Sequence, residues 1–298
     1  MGAIGHRAQT TVVDMTQPQR HIGDLSVSAI GLGCMKMSLK SPLDEEESVA
    51  TVHAALDAGL TLIDTADVYN PDDGPFGHNE ELVAHALASY GDTGHVVVAT
   101  KGGMTRDGAD WGIDGNPARL RQAAQDSARR LGVDAIALYQ HHRPDPNYPY
   151  AETMGALKDL VDDGIVQRVG ISNADPEQIR EAREVLGDAL VSVQNRFNPG
   201  YLDSQPELDL CEELGLAFLP YSPLGGLRGA SELAAQHAPF VVVGERHGVS
   251  AYQVALAWEL ARSPVVVPIP GASRPESIRD SAAATKLTLS EDDLALLP

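Results

Sequence analysis

Apolar residues along this chain alternate between two arrangements. Short apolar runs at 30–34, 60–63, 95–100, 134–140, 166–171, 190–194, 216–220 and 264–268 have the length and β-branched character of buried strands. Between them, segments at 44–58, 78–89, 116–131, 151–163, 175–186, 205–214, 249–262 and 275–285 carry apolar residues at helical spacing. Asp44 with Glu47 three positions on, and Asp175 before Pro176, are helix-start signals. Gly59, Gly132, Gly164 and Gly215 stand where helices should end. Ahead of the first unit, QRHIGDLSVSAI (19–30) reads as two short strands around Gly23 and Asp24.

Eight strand-then-helix units in succession predict an α/β fold: a closed parallel (β/α)8 TIM barrel, with the short N-terminal β-hairpin capping the barrel bottom. No linker, charge block or repeat divides the chain, so one domain is expected over 19–298, preceded by a flexible N-terminal tail at 1–18. The GLG at 31–33 lacks the third glycine and the helix start of a dinucleotide fingerprint.

Composition narrows the partners. With a formal charge of −20 over 298 residues, nucleic acid and anionic membrane surfaces are disfavoured, because both need a basic face. A small anionic ligand is compatible, since backbone dipoles and a few basic side chains can hold it. Cys34 and Cys211 are the two cysteines, too few for a disulfide scaffold, and no metal spacing occurs. No apolar run approaches the roughly 20 residues of a membrane span, and the tail lacks a secretory core, which makes a cytoplasmic location the default.

Barrel chemistry sits at the carboxyl ends of the strands. That rule selects Asp64, Tyr69, Lys101, the pair His141 and His142, Ser172, Asn173, Gln194, Tyr221 and the run after 268, all on one face. An acid, a phenol, an amine and an imidazole so placed can move a proton and a charge together. A lysine ending a barrel strand also admits a Schiff-base lyase as a rival.

The strings IGLGCM, LIDTADVY, GHNEELV, VVVATKGG, LYQHHRPDP, VGISN, VQNRFN, LPYSPLGG, VALAWEL and VPIPGASRPESI resemble, in content and order, the aldo-keto reductase family from about residue 20 to 290. The resemblance implies a barrel that binds NADPH/NADP+ without a Rossmann domain. It also implies NADPH-dependent reduction of an aldehyde or ketone to an alcohol by hydride transfer. The family's catalytic positions fall on Asp64, Tyr69, Lys101 and His142. A free phenol has a pKa near 10, so Tyr69 as general acid needs a neighbouring cation. Lys101 would favour the phenolate, Asp64 would hold Lys101 charged, and His142 would donate to the substrate oxygen. Relatives place their histidine directly before Arg-Pro-Asp, which selects His142; alternation along a strand turns His141 the other way.

For the cofactor, the resemblance assigns Ser172, Asn173 and Gln194 to the carboxamide and Tyr221 to stacking on the nicotinamide. Ser222, Pro223, Leu224 and Gly226 would run beside the pyrophosphate, and Met35 joins the contacts after strand one. Ile269, Gly271, Ser273 and Arg274 would take the adenosine phosphates, with the Arg274 fork on a 2′-phosphate favouring NADPH over NADH. Asp280 and Ser281 stand where relatives commonly carry Glu-Asn, a shorter acid and a lost amide. Lys36 adds a positive charge where glycine is common, and Trp111 would wall the substrate pocket. Substrate choice is expected from loops 35–43, 70–77, 103–115, 143–150 and 222–232. The last is short enough to imply fast cofactor exchange. The expected partner is a small carbonyl compound; the alternative is a cofactor-sensing regulatory protein with little turnover.

Overall fold

Apolar runs that must bury both faces pair side by side under a cover of helices. In the computed structural model, which describes residues 17–39, 44–72, 74–225 and 238–298, the chain follows this rule. The elements run β1 (Gln19–Ile22), β2 (Leu25–Ser28), β3 (Leu32–Gly33), α1 (Lys36–Leu39), α2 (Glu45–Asp57), β4 (Leu62–Asp64), α3 (His78–Tyr90), β5 (Val97–Gly102), β6 (Met104–Asp107) and β7 (Asp110–Ile113). They continue with α4 (Pro117–Leu131), β8 (Leu138–His141), α5 (Tyr150–Asp162), β9 (Val169–Ser172), α6 (Pro176–Leu186), β10 (Leu190–Gln194), α7 (Gln205–Leu214) and β11 (Ala217–Phe218). Last come α8 (Ala238–His247), α9 (Ala251–Arg262), α10 (Pro275–Ala283) and α11 (Glu291–Leu294). The expected caps form: Asp44 accepts from the Glu47 amide at 2.8 Å, and Asp175 makes a reciprocal capping box with Gln178.

Seven strands pair in parallel in the order β3, β4, β5, β8, β9, β10, β11. The eighth stave, 265–271, closes the barrel through fewer bonds. On one side Val267 and Ile269 donate to Phe218 and Pro220 at 2.8 and 3.3 Å, and Phe218 donates back to Val265 at 2.9 Å. On the other side Gly31 and Gly33 donate to the carbonyls of Pro268 and Pro270 at 2.9 and 3.1 Å. The two prolines have no N–H to return, so this seam keeps half its ladder. A Cβ on Gly33 would stand 2.9 Å from the Ile269 carbonyl oxygen, so only glycine permits the close approach.

The barrel bore is filled by Leu62, Val97, Leu138, Val191, Leu219 and Val267, joined by Ile22 and Val27 of the β1–β2 hairpin. The hairpin thus plugs the bottom mouth with two fully buried side chains, each contributing about 1.5–3 kcal/mol of burial. Its tip is tied by a pair between Asp24 and Arg168. Packing begins before residue 19: Gln17 is buried, donates to the Ala58 carbonyl at 2.8 Å and accepts from Thr285 at 2.6 Å. Of the tail expected at 1–18, residues 1–16 lie outside the described residues. No helix among the described residues is long and apolar enough to cross a membrane.

The sequence reading lacks α1, α8, α11 and the β6–β7 hairpin. At four residues each, α1 and α11 are too short to show a period. Helix α8 (APFVVVGERH) holds a β-branched run that favours strand, but Phe240 and Val243, three apart, are both buried against the core.

Glu259 on α9 is fully buried, and neither carboxylate oxygen has a hydrogen-bond partner among the described residues. Burial pushes its carboxyl well above the usual range. The folded chain then keeps a proton that the unfolded chain releases at ordinary carboxylate pH, so stability falls as pH rises from that value through the raised one. Glu259→Gln removes this loss. Its thermal stability relative to wild type should increase between about pH 5 and pH 7, by up to about 1.4 kcal/mol per pH unit. A difference that stays constant with pH would show that the carboxyl is not held protonated.

Candidate active site

Lys101 lies near the end of β5, and its side chain is fully buried. An ammonium removed from water needs an anion and acceptors for its N–H groups. Nζ donates to Asp64 Oδ1 at the end of β4, to the Thr65 carbonyl at 2.9 Å and to Tyr69 Oη at 3.3 Å, which uses all three hydrogens. Burial lowers the lysine's pKa, but Asp64 and Tyr69 more than offset it, and the net shift is upward. The amine is therefore charged and fully donated. A Schiff base needs a neutral amine with a free lone pair, so this geometry argues against the lyase rival.

The other oxygen of Asp64 accepts from Gln140 at 3.0 Å and Gln194 at 2.8 Å, and Gln194 also donates to Gln140 Oε1 at 3.1 Å. One ion pair thus gathers side chains from β4, β5, β8 and β10. Gln140 was not singled out from sequence, although it sits two residues before His142 and alternation puts both on the bore face.

Tyr69 reaches the group from the loop after β4. That loop continues the strand pairing, with Thr65 and Asp67 donating to the Ala99 and Lys101 carbonyls at 2.8 and 3.2 Å. Asn79 at the start of α3 then pins it: its backbone donates to the Tyr69 carbonyl at 3.1 Å, and its buried side chain joins Thr65 at 2.6 Å and Cys34 at 2.9 Å. Burial raises the Tyr69 pKa and outweighs the lowering by Lys101. The lysine acts in the expected direction, but the phenol stays protonated at neutral pH.

His142 meets Tyr69 edge-on, with ring centroids 5.7 Å apart and planes at 82°. Burial, then the charges of Lys101 and Arg143, hold its pKa well below the ordinary histidine value, so the ring is neutral. Among the described residues its buried Nδ1 has no hydrogen-bond partner. His141 turns outward instead, against Gly103 and, at 6.0 Å, the Tyr150 ring. Burial lowers its pKa to about 4. The alternation expected along β8 therefore separates the two.

A cavity of about 610 Å³ opens above this group. Asp64, Tyr69, His142, Met35, Lys36, Trp111, Ser172, Asn173, Gln194, Tyr221, Ser222, Pro223, Leu224, Ile269 and Gly271 all line it, so the structure brings these sequence candidates together. Lys101 lies beneath, behind Asp64 and Tyr69. Gly226, residues 40–43, Asp73 and the part of the 222–232 loop past Gly225 lie outside the described residues. Ser273 and Arg274 stand beyond the cavity at the start of α10, with Arg274 exposed. Asp280 does not reach the cavity: its carboxylate accepts from Ser250 at 2.7 Å and Gln253 at 2.6 Å, bracing the start of α9. Ser281 is buried away from it.

The polar wall is interlinked before any ligand arrives. Ser172 donates to the Gln194 carbonyl at 2.7 Å, and Asn173 donates to Ser172 and to the His142 carbonyl, each at 3.0 Å. Asn173 Oδ1 in turn accepts from Tyr221 Oη at 2.8 Å and Arg143 at 3.1 Å. Asn173 and Ser222 hold φ of 58° and 53°, a left-handed conformation uncommon without glycine and typical of constrained sites. The opposite wall is a β-hairpin, not an irregular loop: β6 and β7 turn at Gly108 (φ 56°) and contribute Met104, Trp111 and Ile113. Its signal was the Asp107-Gly108 pair between the strands. Met104, like Trp111, faces the cavity.

A model of the aldo/keto reductase family matches residues 29–297. An uncharacterized oxidoreductase of Schizosaccharomyces pombe is 34% identical over 296 residues, covering 97% of this chain and 92% of that protein. A probable aldo-keto reductase 1 of Glycine max is 33% identical over 297 residues, covering 90% of this chain and 84% of that one. Among solved structures, the aldo-keto reductase from Klebsiella pneumoniae in complex with NADPH matches with a TM-score of 0.77 at 29% identity, over 94% of this chain and 93% of that chain.

Breaking a buried pair from one side leaves an uncompensated charge or an emptied set of donors. Asp64→Asn should destabilise the fold by about 3–5 kcal/mol in denaturant melts, and Lys101→Met by a similar amount. The double variant should lose clearly less than the sum. Strict additivity would mean that the pair is not coupled as its geometry requires.

Proposed function

Because the chain belongs to the aldo/keto reductase family and is an NADP-dependent oxidoreductase, we propose that it reduces an aldehyde or ketone to the alcohol, with Tyr69 as the proton donor. The observation that carries this is the contact of a protonated, buried phenol with a charged lysine at the floor of a cavity large enough for a carbonyl compound. The catalytic unit is one domain over 19–298, its partner a small molecule and not nucleic acid.

The cavity fits the nicotinamide end of the cofactor. It offers an aromatic face at Tyr221, the polar side chains of Ser172, Asn173 and Gln194, and a floor without side chains at Gly33 and Gly271. Ser222 to Leu224 would flank the pyrophosphate. Ser273 and Arg274, just past the cavity on the same strand end, would take the adenosine phosphates, an exposed guanidinium being suited to a 2′-phosphate. Asp280 is engaged by Ser250 and Gln253, so its contribution there is indirect. When bound, the reduced nicotinamide supplies the hydride.

The chain's own residues do the rest. A carbonyl oxygen lodged between Tyr69 Oη and the His142 ring gains negative character as its carbon is reduced. His142, neutral and with one ring N–H, stabilises that oxygen by a hydrogen bond without competing for its proton. Tyr69 gives up its hydroxyl proton, and the phenolate left behind is held by Lys101 at 3.3 Å. Asp64, braced by Gln140 and Gln194, pairs with Lys101 and favours its charged form throughout.

Tyr69→Phe should lower kcat for NADPH-dependent reduction of a reactive aldehyde by about 10²–10⁴-fold, while NADPH binding followed by fluorescence changes little. Turnover unaltered by that change would remove Tyr69 from the chemistry. Tight NADPH binding with negligible turnover of any carbonyl in the wild type would favour the sensing protein instead. The pH profile is a second check. The phenol is raised above its usual value and the imidazole lowered below its own, so both remain in the competent form between about pH 6 and pH 9. The kcat/KM for reduction should be flat across that range. A limb near the ordinary histidine value would contradict a neutral His142.

A further inference from the structure

Arg106 on β6 is basic, yet only 5% of its side chain is exposed, and it does not line the cavity. Three groups surround its guanidinium. One nitrogen donates to the carbonyl of Asn70, the residue after Tyr69, and another to the carboxylate of Asp72. The plane lies over the Trp111 ring, 4.8 Å from the centroid. The hairpin register explains the stacking: Arg106 pairs with Trp111 and Met104 with Ile113, while Thr105 and Gly112 alternate to the other side. Arg106 therefore shares the ribbon face of Met104, Trp111 and Ile113, beside the cavity that those three line.

We propose that Arg106 is a specificity-positioning residue, clamping the β6–β7 hairpin to the Tyr69 loop so that Trp111 forms a fixed wall selecting flat, apolar carbonyl compounds. This rests on the reduction proposed above and adds the substrate class. The physical case has two parts. Even with Arg106 against it, Trp111 is 43% exposed, and the two-stranded ribbon that carries it is marginally stable by itself. A planar fork can hold a carbonyl, a carboxylate and a ring face simultaneously, which a point-charge ammonium cannot. The hairpin wall is thioether, indole and aliphatic, and the cavity's carboxylate among the described lining residues, Asp64, is already paired with Lys101. A polyhydroxylated acceptor would leave its hydroxyls unmatched against this wall, whereas an aromatic aldehyde would stack on it.

The test compares benzaldehyde with propanal in the full-length enzyme with NADPH. Arg106→Ala should raise KM for benzaldehyde about tenfold, the order expected for losing a desolvated cation–aromatic contact, while kcat stays within about threefold. KM for propanal should move by less than about twofold. Arg106→Lys restores the charge but not the fork and should leave KM for benzaldehyde raised; full rescue by lysine would overturn the clamp. A direct readout is acrylamide quenching of tryptophan fluorescence. The other tryptophan, Trp258, is 2% exposed, so the quenchable signal belongs to Trp111, and it should grow in Arg106→Ala. Unchanged quenching, or an equal KM rise for both aldehydes, overturns the proposal. Should Arg106→Ala not fold, Trp111→Leu carries the test, since it keeps the Arg106 bonds to Asn70 and Asp72 and should abolish the preference for benzaldehyde. If the wild type reduces neither aldehyde, the reaction assignment has failed, and the quenching comparison still decides whether Arg106 fixes the wall.

Discussion

A fully buried ammonium is the constraint around which the upper end of this barrel is arranged. Desolvating an ion costs several kcal/mol even after the protein relaxes, so Lys101 is tolerable only with a counter-ion and a complete set of acceptors. Asp64 supplies the charge, and its second oxygen then imposes its own demand, met by two glutamine amides from β8 and β10. Four strand ends are fixed to one another in this way. The phenol benefits from the same arrangement: it sits against a cation whose position cannot drift, in surroundings dry enough to keep its proton until something takes it.

The division of labour across the cavity follows from how each wall is built. The polar wall, Ser172 through Tyr221, belongs to strand ends and is cross-linked by hydrogen bonds from Gln194 to Arg143. The hairpin wall is a separate two-stranded sheet whose strands, among the described residues, pair with each other alone. Rigid chemistry on staves and adjustable selection on an appended ribbon is a physically sensible partition, since a ribbon can change its side chains without disturbing the buried pair.

Much of this was legible in the sequence. Alternating apolar runs and helical segments specify the barrel, and strand-end position places Asp64, Tyr69, Lys101 and His142 together, because a strand's periodicity is short and strict. Other features were hidden for physical reasons. Gln140 reads as one more strand residue until its partner is known, because its role depends on a residue 76 positions away. The bonds that the Asp280 carboxylate accepts from Ser250 and Gln253 were hidden likewise, since their donors stand 30 and 27 positions away. The Tyr69 phenol responds to burial more than to the adjacent charge, and burial is a property of the assembled fold. Helix α8 contradicts its own β-branched composition because tertiary packing outweighs local preference.

The proline seam has a mechanical implication for the cavity. Gly33 and Gly271 face each other across it, and both, with Ile269, form the cavity floor. The floor on which a ligand would rest is thus a joint short of cross-strand bonds, and it is a natural place for the cylinder to breathe. A molecule lying across that joint would act as a strap, bracing the first stave against the last. Occupancy and the integrity of the ring are then two aspects of one equilibrium, and the missing amide hydrogens of Pro268 and Pro270 are what leave the ring open to tightening by its own ligand.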